Sequence, residues 1–352
     1  MSAVLKDDRQ AKAPLGGAFG RAFECVYRWE LGRRNRRFDA GKGVNRFDVP
    51  VISVGNLSVG GTGKTPMVAM VVEELLAIGR RPMIAMRGYA AKPSHHGGDE
   101  AMDYEQRFGD RVVVRAQPDR AAAIGEELAK PRPVDCVVLD DGFQHRRVAR
   151  DLDIVLMDAT RPAFGDRCLP AGWLREPVQN LNRSDAVILT RCDLVDEQAT
   201  SKLERGISQV VASPISIAQS IHTWVNLTDI KTRESRSVDW LRGKRVVVAL
   251  GIGHPSAFLE QAARTGAVVM NKLIQPDHHH WSIEDEAKLV DLVQQGRADC
   301  VLTTTKDGVK LRNGMVDRPA AVIEVEMGIE FRRNGDAIRK LITDTAAGVQ
   351  SS

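Results

Sequence analysis

The chain has 352 residues, of which 43% are hydrophobic, enough to bury the core of one large or two ordinary domains. Its 50 basic and 46 acidic residues nearly cancel to a net charge of +4, which excludes a general nucleic-acid binder and makes any functional charge local. Five cysteines (Cys25, Cys136, Cys168, Cys192 and Cys300) stand far apart with no C-x-x-C pair, which predicts a reducing cytoplasm and neither disulfides nor a cysteine-rich zinc site. No signal-peptide pattern opens the chain, and no stretch approaches the roughly 18 apolar residues of a spanning helix. The expectation is a folded α/β protein that does not cross a membrane but can lie on one.

Residues 1–37 are predicted to be a polar tail followed by an amphipathic helix over 15–37. Phe19, Phe23, Val26, Tyr27 and Glu30 recur at helical spacing, Trp29 adds an interfacial aromatic, and Arg21, Arg28, Arg33, Arg34, Arg36 and Arg37 supply dense positive charge. Such a helix either packs on the protein's own core or docks on an anionic membrane surface. From residue 49 onward, apolar runs at 49–54, 82–86, 112–114, 134–139, 154–157 and 186–189 alternate with helical patterns, the signature of a mostly parallel, doubly wound sheet. A weaker, polar and charged stretch over 213–239 reads as a linker. A second βα series starts at Arg245 and has a strand at 300–303. The predicted domains are therefore a P-loop domain over 38–212 and a smaller α/β domain over 240–352, with a cleft between them.

The loop Ser58-Val59-Gly60-Gly61-Thr62-Gly63-Lys64-Thr65 follows a buried strand and opens a helix, the context that makes a phosphate-binding loop of a glycine-rich turn. Its backbone N–H groups can surround phosphate oxygens, Lys64 can reach the β- and γ-phosphates of ATP, and the Thr65 hydroxyl can ligate Mg²⁺. Ser58 stands where the general pattern has its first glycine. A second apolar strand ends in Asp140 and Asp141, hard oxygen ligands suited to Mg²⁺ beside such a loop. Paired aspartates after a strand also form turns and helix caps.

Taken together, these segments resemble the tetraacyldisaccharide 4'-kinase family. The resemblance rests on the loop 53–66 and on Arg87-Gly88-Tyr89, Gly98-Asp99-Glu100, Asp140-Asp141-Gly142-Phe143-Gln144-His145, the run 169–177, Gly251-Ile252-Gly253, Asp277-His278-His279 and Thr304-Thr305-Lys306-Asp307, in the family's order. Ala101, His254 and Thr305 depart from the family pattern without removing a chemical group. The resemblance implies transfer of the ATP γ-phosphoryl group to the 4'-hydroxyl of a lipid A disaccharide 1-phosphate, at the cytoplasmic face of the bacterial inner membrane and with no obligate protein partner. It also implies catalytic roles for Asp99 and His278, expected to face each other across the cleft. Arg175 and Glu176 are implied as a cation for phosphate charge and a carboxylate for metal or nucleotide, although Leu174-Arg175-Glu176-Pro177 also reads as a surface ion pair and turn. Consecutive histidines at 278–280 cannot all face one point, which disfavours a zinc site there.

A P-loop GTPase is the nearest rival. Thr190-Arg191-Cys192-Asp193 matches only the final aspartate of a guanine-recognition element. A nucleotide-gated membrane adaptor without catalysis is the alternative from another class.

Overall fold

The computed structural model describes residues 13–88, 98–252, 255–276, 279–312 and 320–348. The chain forms two compact units, one of residues 1–221 with 330–352 and one of residues 222–329.

The first unit begins with helix α1 (Gly17–Asp39), followed by β1 (Val51–Asn56), α2 (Lys64–Ala77), β2 (Pro82–Met86), α3 (Gly98–Phe108), β3 (Val113–Ala116), α4 (Arg120–Leu128), β4 (Cys136–Asp140), β5 (Leu152–Asp158), β6 (Ala186–Thr190), α5 (Glu197–Val210) and the start of β7 (Ser216–Asp229), whose residues from 222 onward belong to the second unit. Its strands lie in the order β7-β6-β5-β1-β4-β2-β3, and every neighbouring pair is parallel. Strands β1, β2, β4, β5 and β6 are buried at every position. Helices cover both faces of such a sheet, so its strands read as unbroken apolar runs. This is the expected mostly parallel α/β architecture.

The second unit contains β8 (Ser235–Arg236), β9 (Arg245–Leu250), α6 (Pro255–Arg264), β10 (Val268–Ile274), α7 (Ile283–Gly296), β11 (Cys300–Thr304), α8 (Thr305–Arg312) and most of β12 (Ala321–Arg333). Its parallel order is β10-β9-β11-β12, with β8 antiparallel to β7. The polar turn expected before a helix near Ser282 is a capping box, in which Ser282 and Asp285 satisfy each other's backbone N–H groups.

Two boundaries differ from the sequence expectation. Residues 213–239, read as a linker, are mostly strand, because polar side chains in β7 are buried and satisfied. Ser220 donates to Leu189 O at 3.1 Å and Gln219 to Glu204 at 2.8 Å. The segment 330–352, assigned to the second domain, returns to the first unit as α9 (Gly335–Ala346), which packs on α2. That contact also explains why α2 is less amphipathic than its position suggests. Met67, Val68, Ala69, Met70, Val71 and Val72 are all buried, between the sheet on one side and α9 on the other.

No described helix is long and apolar enough to cross a membrane. Helix α1 docks on the first unit through Gly20, Glu24, Tyr27, Leu31 and Asn35, a stripe at helical spacing. Glu24 accepts from Arg167 Nη1 at 3.0 Å and Cys168 N at 3.1 Å, Tyr27 donates to Arg175 O at 2.7 Å, and Asn35 O accepts from Arg146 at 3.1 Å. The apolar residues Phe19 (77% exposed), Phe23, Val26 and Trp29 (65% exposed) point away from the protein. The helix is therefore inverted relative to one that buries its apolar side, and Tyr27 belongs to the docked stripe rather than to the apolar one.

Candidate active site

The loop from Leu57 to Gly63 leaves the carboxyl end of β1, where open parallel sheets bind ligands. Its closure is local. Asn56 Nδ2 donates to Thr62 Oγ1 at 2.9 Å, and Gln144 Nε2 donates to Asn56 O at 2.8 Å. Gly60 (φ 117°) and Gly63 (φ 86°) adopt the left-handed conformation that lets the backbone curl, and α2 starts at once with Lys64. From the end of β6, two strands from β1, Thr190 Oγ1 donates to Thr62 O at 3.1 Å and Arg191 Nη2 to Gly61 O at 2.7 Å, while Arg191 is ion-paired to Asp158.

A second clamp comes from the segment that carries Arg175. Ser58 forms an antiparallel bridge with Leu174. Val59 N donates to Trp173 O at 2.8 Å and Arg175 N to Leu57 O at 2.7 Å. The backbone N–H of Val59, one of the residues expected to bind the cofactor, is thus engaged by protein.

Asp140 and Asp141 arrive beside the loop because β4 pairs with β1, Val54 aligning with Asp140, and Gly142 N donates to Val54 O at 3.1 Å. This turn presses against β1 so closely that a Cβ on Gly55 would lie 2.6 Å from Phe143 Cβ. Asp141 sits at a left-handed φ of 53° and faces three cations. Lys64 Nζ is 3.6 Å from its Oδ1, Arg175 Nη1 is 2.6 Å from its Oδ2, and Arg120 Nη1 donates to its carbonyl at 3.2 Å. Burial pushes the Asp141 carboxyl up, but Lys64 and Arg175 outweigh it and hold the group below the usual carboxylate range.

Asp140 behaves oppositely. Burial, then the neighbouring charge of Glu100, pushes its carboxyl up to about 6, with Asp141 adding to the effect and Lys64 opposing it. Crowded carboxylates at a strand end are the setting that a divalent cation relieves, and Asp141 Oδ1 is buried without a hydrogen-bond partner. The residues present therefore fit Mg²⁺, with Thr65 at the second position of α2 on the same side.

Glu176 is fully buried and bonds to Arg183 Nη1 at 2.9 Å and to Asn180, neither of which belongs to the loop. Both partners hold its Oε2, and its Oε1 is buried without a hydrogen-bond partner. Asp99 lies in the first turn of α3, but its side chain is outside the described ones, and His278 lies outside the described residues. Among the described residues no group of three or more His, Cys, Asp or Glu side chains is arranged to hold a metal alone. His279 pairs with Asp285 at 2.8 Å, inside its own turn.

Three contributors were not singled out from the sequence. Asn56 and Gln144 brace the loop, and Tyr104, buried in α3, donates to Asp140 Oδ2 at 3.1 Å. Gln144 was visible inside the acidic motif. Tyr104 gave no signal, because a tyrosine in an amphipathic helix reads as core.

A parallel sheet with a glycine-rich loop running into Lys64-Thr65, flanked by two strand-end aspartates and a guanidinium, defines a P-loop phosphotransferase. The comparisons narrow this. The tetraacyldisaccharide-1-P 4'-kinase family matches residues 18–346, and the chain belongs to that family. It is 33% identical over 310 residues to the tetraacyldisaccharide 4'-kinase of Bdellovibrio bacteriovorus, covering 84% of this chain and 89% of that one. It is 36% identical over 323 residues to the enzyme of the same name from Geobacter metallireducens, covering 85% and 91%. Among solved structures it is similar to the "apo" form of LpxK from Aquifex aeolicus in complex with ATP, with a TM-score of 0.71 and 28% identity over 92% of this chain and 97% of that one.

Proposed function

We propose that this protein transfers the γ-phosphoryl group of ATP to the 4'-hydroxyl of a tetraacylated glucosamine disaccharide 1-phosphate. The observation that carries the reading is the Lys64–Asp141–Arg175 constellation at the mouth of the loop, which fixes two cations where phosphate charge must be held. The amides of residues 60–65 cradle the β- and γ-phosphates. Lys64 leans on them, and Arg175 offsets charge while anchoring the acidic turn. Thr65, Asp140 and Asp141 would hold Mg²⁺, which when bound screens the negative charge of the phosphates.

The sugar hydroxyl oxygen forms the new bond to the γ-phosphorus as the bond to the β-phosphate oxygen breaks and ADP leaves. The hydroxyl proton passes to Asp99, with His278 supporting its charge. This assignment follows the family resemblance of Gly98-Asp99-Glu100 and Asp277-His278.

The outer face of α1 is the surface we assign to the cytoplasmic leaflet of the inner membrane. Phe19, Phe23, Val26 and Trp29 project from it, and Arg33, Arg36 and Arg37 continue the same side toward the helix end. Each basic residue near an anionic surface adds roughly 1 kcal/mol. Incubation with γ-labelled ATP and a detergent-dispersed lipid A disaccharide precursor tests the activity. Label should move to the lipid with the parent chain and not with Lys64→Ala. Nucleotide binding without transfer would make the protein an adaptor instead.

A further inference from the structure

Tyr104 stands at a place that nucleotide binding alone does not explain. Its side chain is 1% exposed, and its hydroxyl lies 3.1 Å from Asp140 Oδ2. A phenol has one proton, and an ionised carboxylate can only accept. The Tyr104 proton therefore goes to Asp140.

We propose that Tyr104 is a positioning residue that orients Asp140 toward the divalent cation accompanying the nucleotide, and that it links helix α3 to the acidic end of β4. An ionised carboxylate otherwise rotates, and the Tyr104 contact fixes the rotation of the Asp140 carboxylate. Tyr104 lies one turn beyond Glu100 in the helix that opens with Gly98-Asp99-Glu100, and Arg107, further along, ties that helix to Glu73 of α2 at 2.6 Å. Cation loading and the placement of the Gly98-Asp99-Glu100 turn are thus mechanically connected through one hydroxyl.

The inference rests on the proposed metal role of Asp140, and the test separates the two. Mn²⁺ binding to the full chain is measured by electron paramagnetic resonance with a saturating non-hydrolysable ATP analogue and no lipid. Tyr104→Phe should weaken Mn²⁺ binding about 10–100-fold, the usual effect of removing a group that orients metal ligands. Its affinity for the analogue in chelator should stay within about twofold of the parent, which also shows that the variant folds. Unchanged Mn²⁺ affinity overturns the positioning role. A parent chain that binds no Mn²⁺ overturns the metal assignment, and this inference with it. A second measurement needs no variant: the chain has three tyrosines, and with all of them 3-fluoro-labelled, one ¹⁹F resonance should shift when Mg²⁺ is added to the analogue complex. Three unmoved resonances would overturn the proposal.

Discussion

Arg175 grips Asp141 through a 2.6 Å contact from Nη1 to Oδ2, while its own backbone N–H holds Leu57 O at 2.7 Å. One residue thus joins the acidic turn to the first residue of the phosphate-binding loop. Removing the guanidinium leaves a half-buried carboxylate short of a partner, at a cost of about 1.5–3 kcal/mol, or roughly 10–100-fold in rate if the loss is felt in the transition state. Arg175→Ala should lower kcat by that factor. Arg175→Lys should recover little, because an ammonium cannot reproduce the planar fork. Steady-state kinetics with saturating ATP check both, and a Lys variant at parental rate would show that charge alone suffices.

The approach of Gly55 to Phe143 makes a stability prediction. An alanine Cβ at 55 would meet Phe143 Cβ at 2.6 Å and its backbone N at 2.7 Å, and backbone cannot swing aside as a flexible side chain can. Gly55→Ala should cost about 1–3 kcal/mol in urea unfolding and push the Asp140–Asp141 turn off the loop. ATP affinity should fall along with stability. A variant with the parental urea midpoint would show that the turn has slack.

His145 supplies the pH dependence. Burial, then the positive charges of Arg120, Arg150 and Arg147, against a weaker opposing pull from Asp119, lowers its imidazole from 6.5 to about 4. The folded protein keeps it neutral where the unfolded chain takes up a proton. Stability owes nothing to this group above about pH 6.5 and is lost as pH falls from 6.5 towards 4. Discounted for the ring's partial exposure, the loss is on the order of 2 kcal/mol. His145→Gln should therefore lose less stability than the parent between pH 7 and 4.5. Parallel losses in chemical denaturation would remove His145 as the cause.

For Asp99, the proposed base, Asp99→Ala should lower kcat roughly 10²–10⁴-fold with ATP affinity little changed. His278→Ala should lower it less, and the double variant should fall well short of the product of the two, as groups acting as a unit do. Fully multiplicative losses would separate the two residues.

Helix α1 predicts lipid binding that weakens with salt. Replacing Phe19, Phe23, Val26 and Trp29 with serine removes only outward-facing side chains, so the variant should retain its melting temperature yet sediment poorly with anionic vesicles. Undiminished sedimentation would move the contact elsewhere.

The sheet and the loop were legible because their signals are local: buried parallel strands are continuous apolar runs, and Gly60 through Thr65 is one uninterrupted stretch. The linker over 213–239 was misread because β7 buries Gln219 and Ser220, whose hydrogen-bond partners lie in other elements. The return of α9 to α2 left no trace, since packing between segments more than 250 residues apart has no period to detect. Glu176 is adjacent to Arg175 but has different partners in the fold. It turns inward to Arg183, while Arg175 reaches Asp141. The orientation of α1 could not be read from its pattern, because a moment gives the apolar side of a helix but not which side the protein takes.

The Tyr27 hydroxyl ends on the carbonyl of Arg175, and Glu24 and Asn35 fasten the same helix above and below it. A helix bolted at three heights cannot pivot like an oar. Whatever surface its outer face meets, the helix acts as a fixed spacer, and the height of Arg175 over that surface is set by the fold rather than by chance encounter.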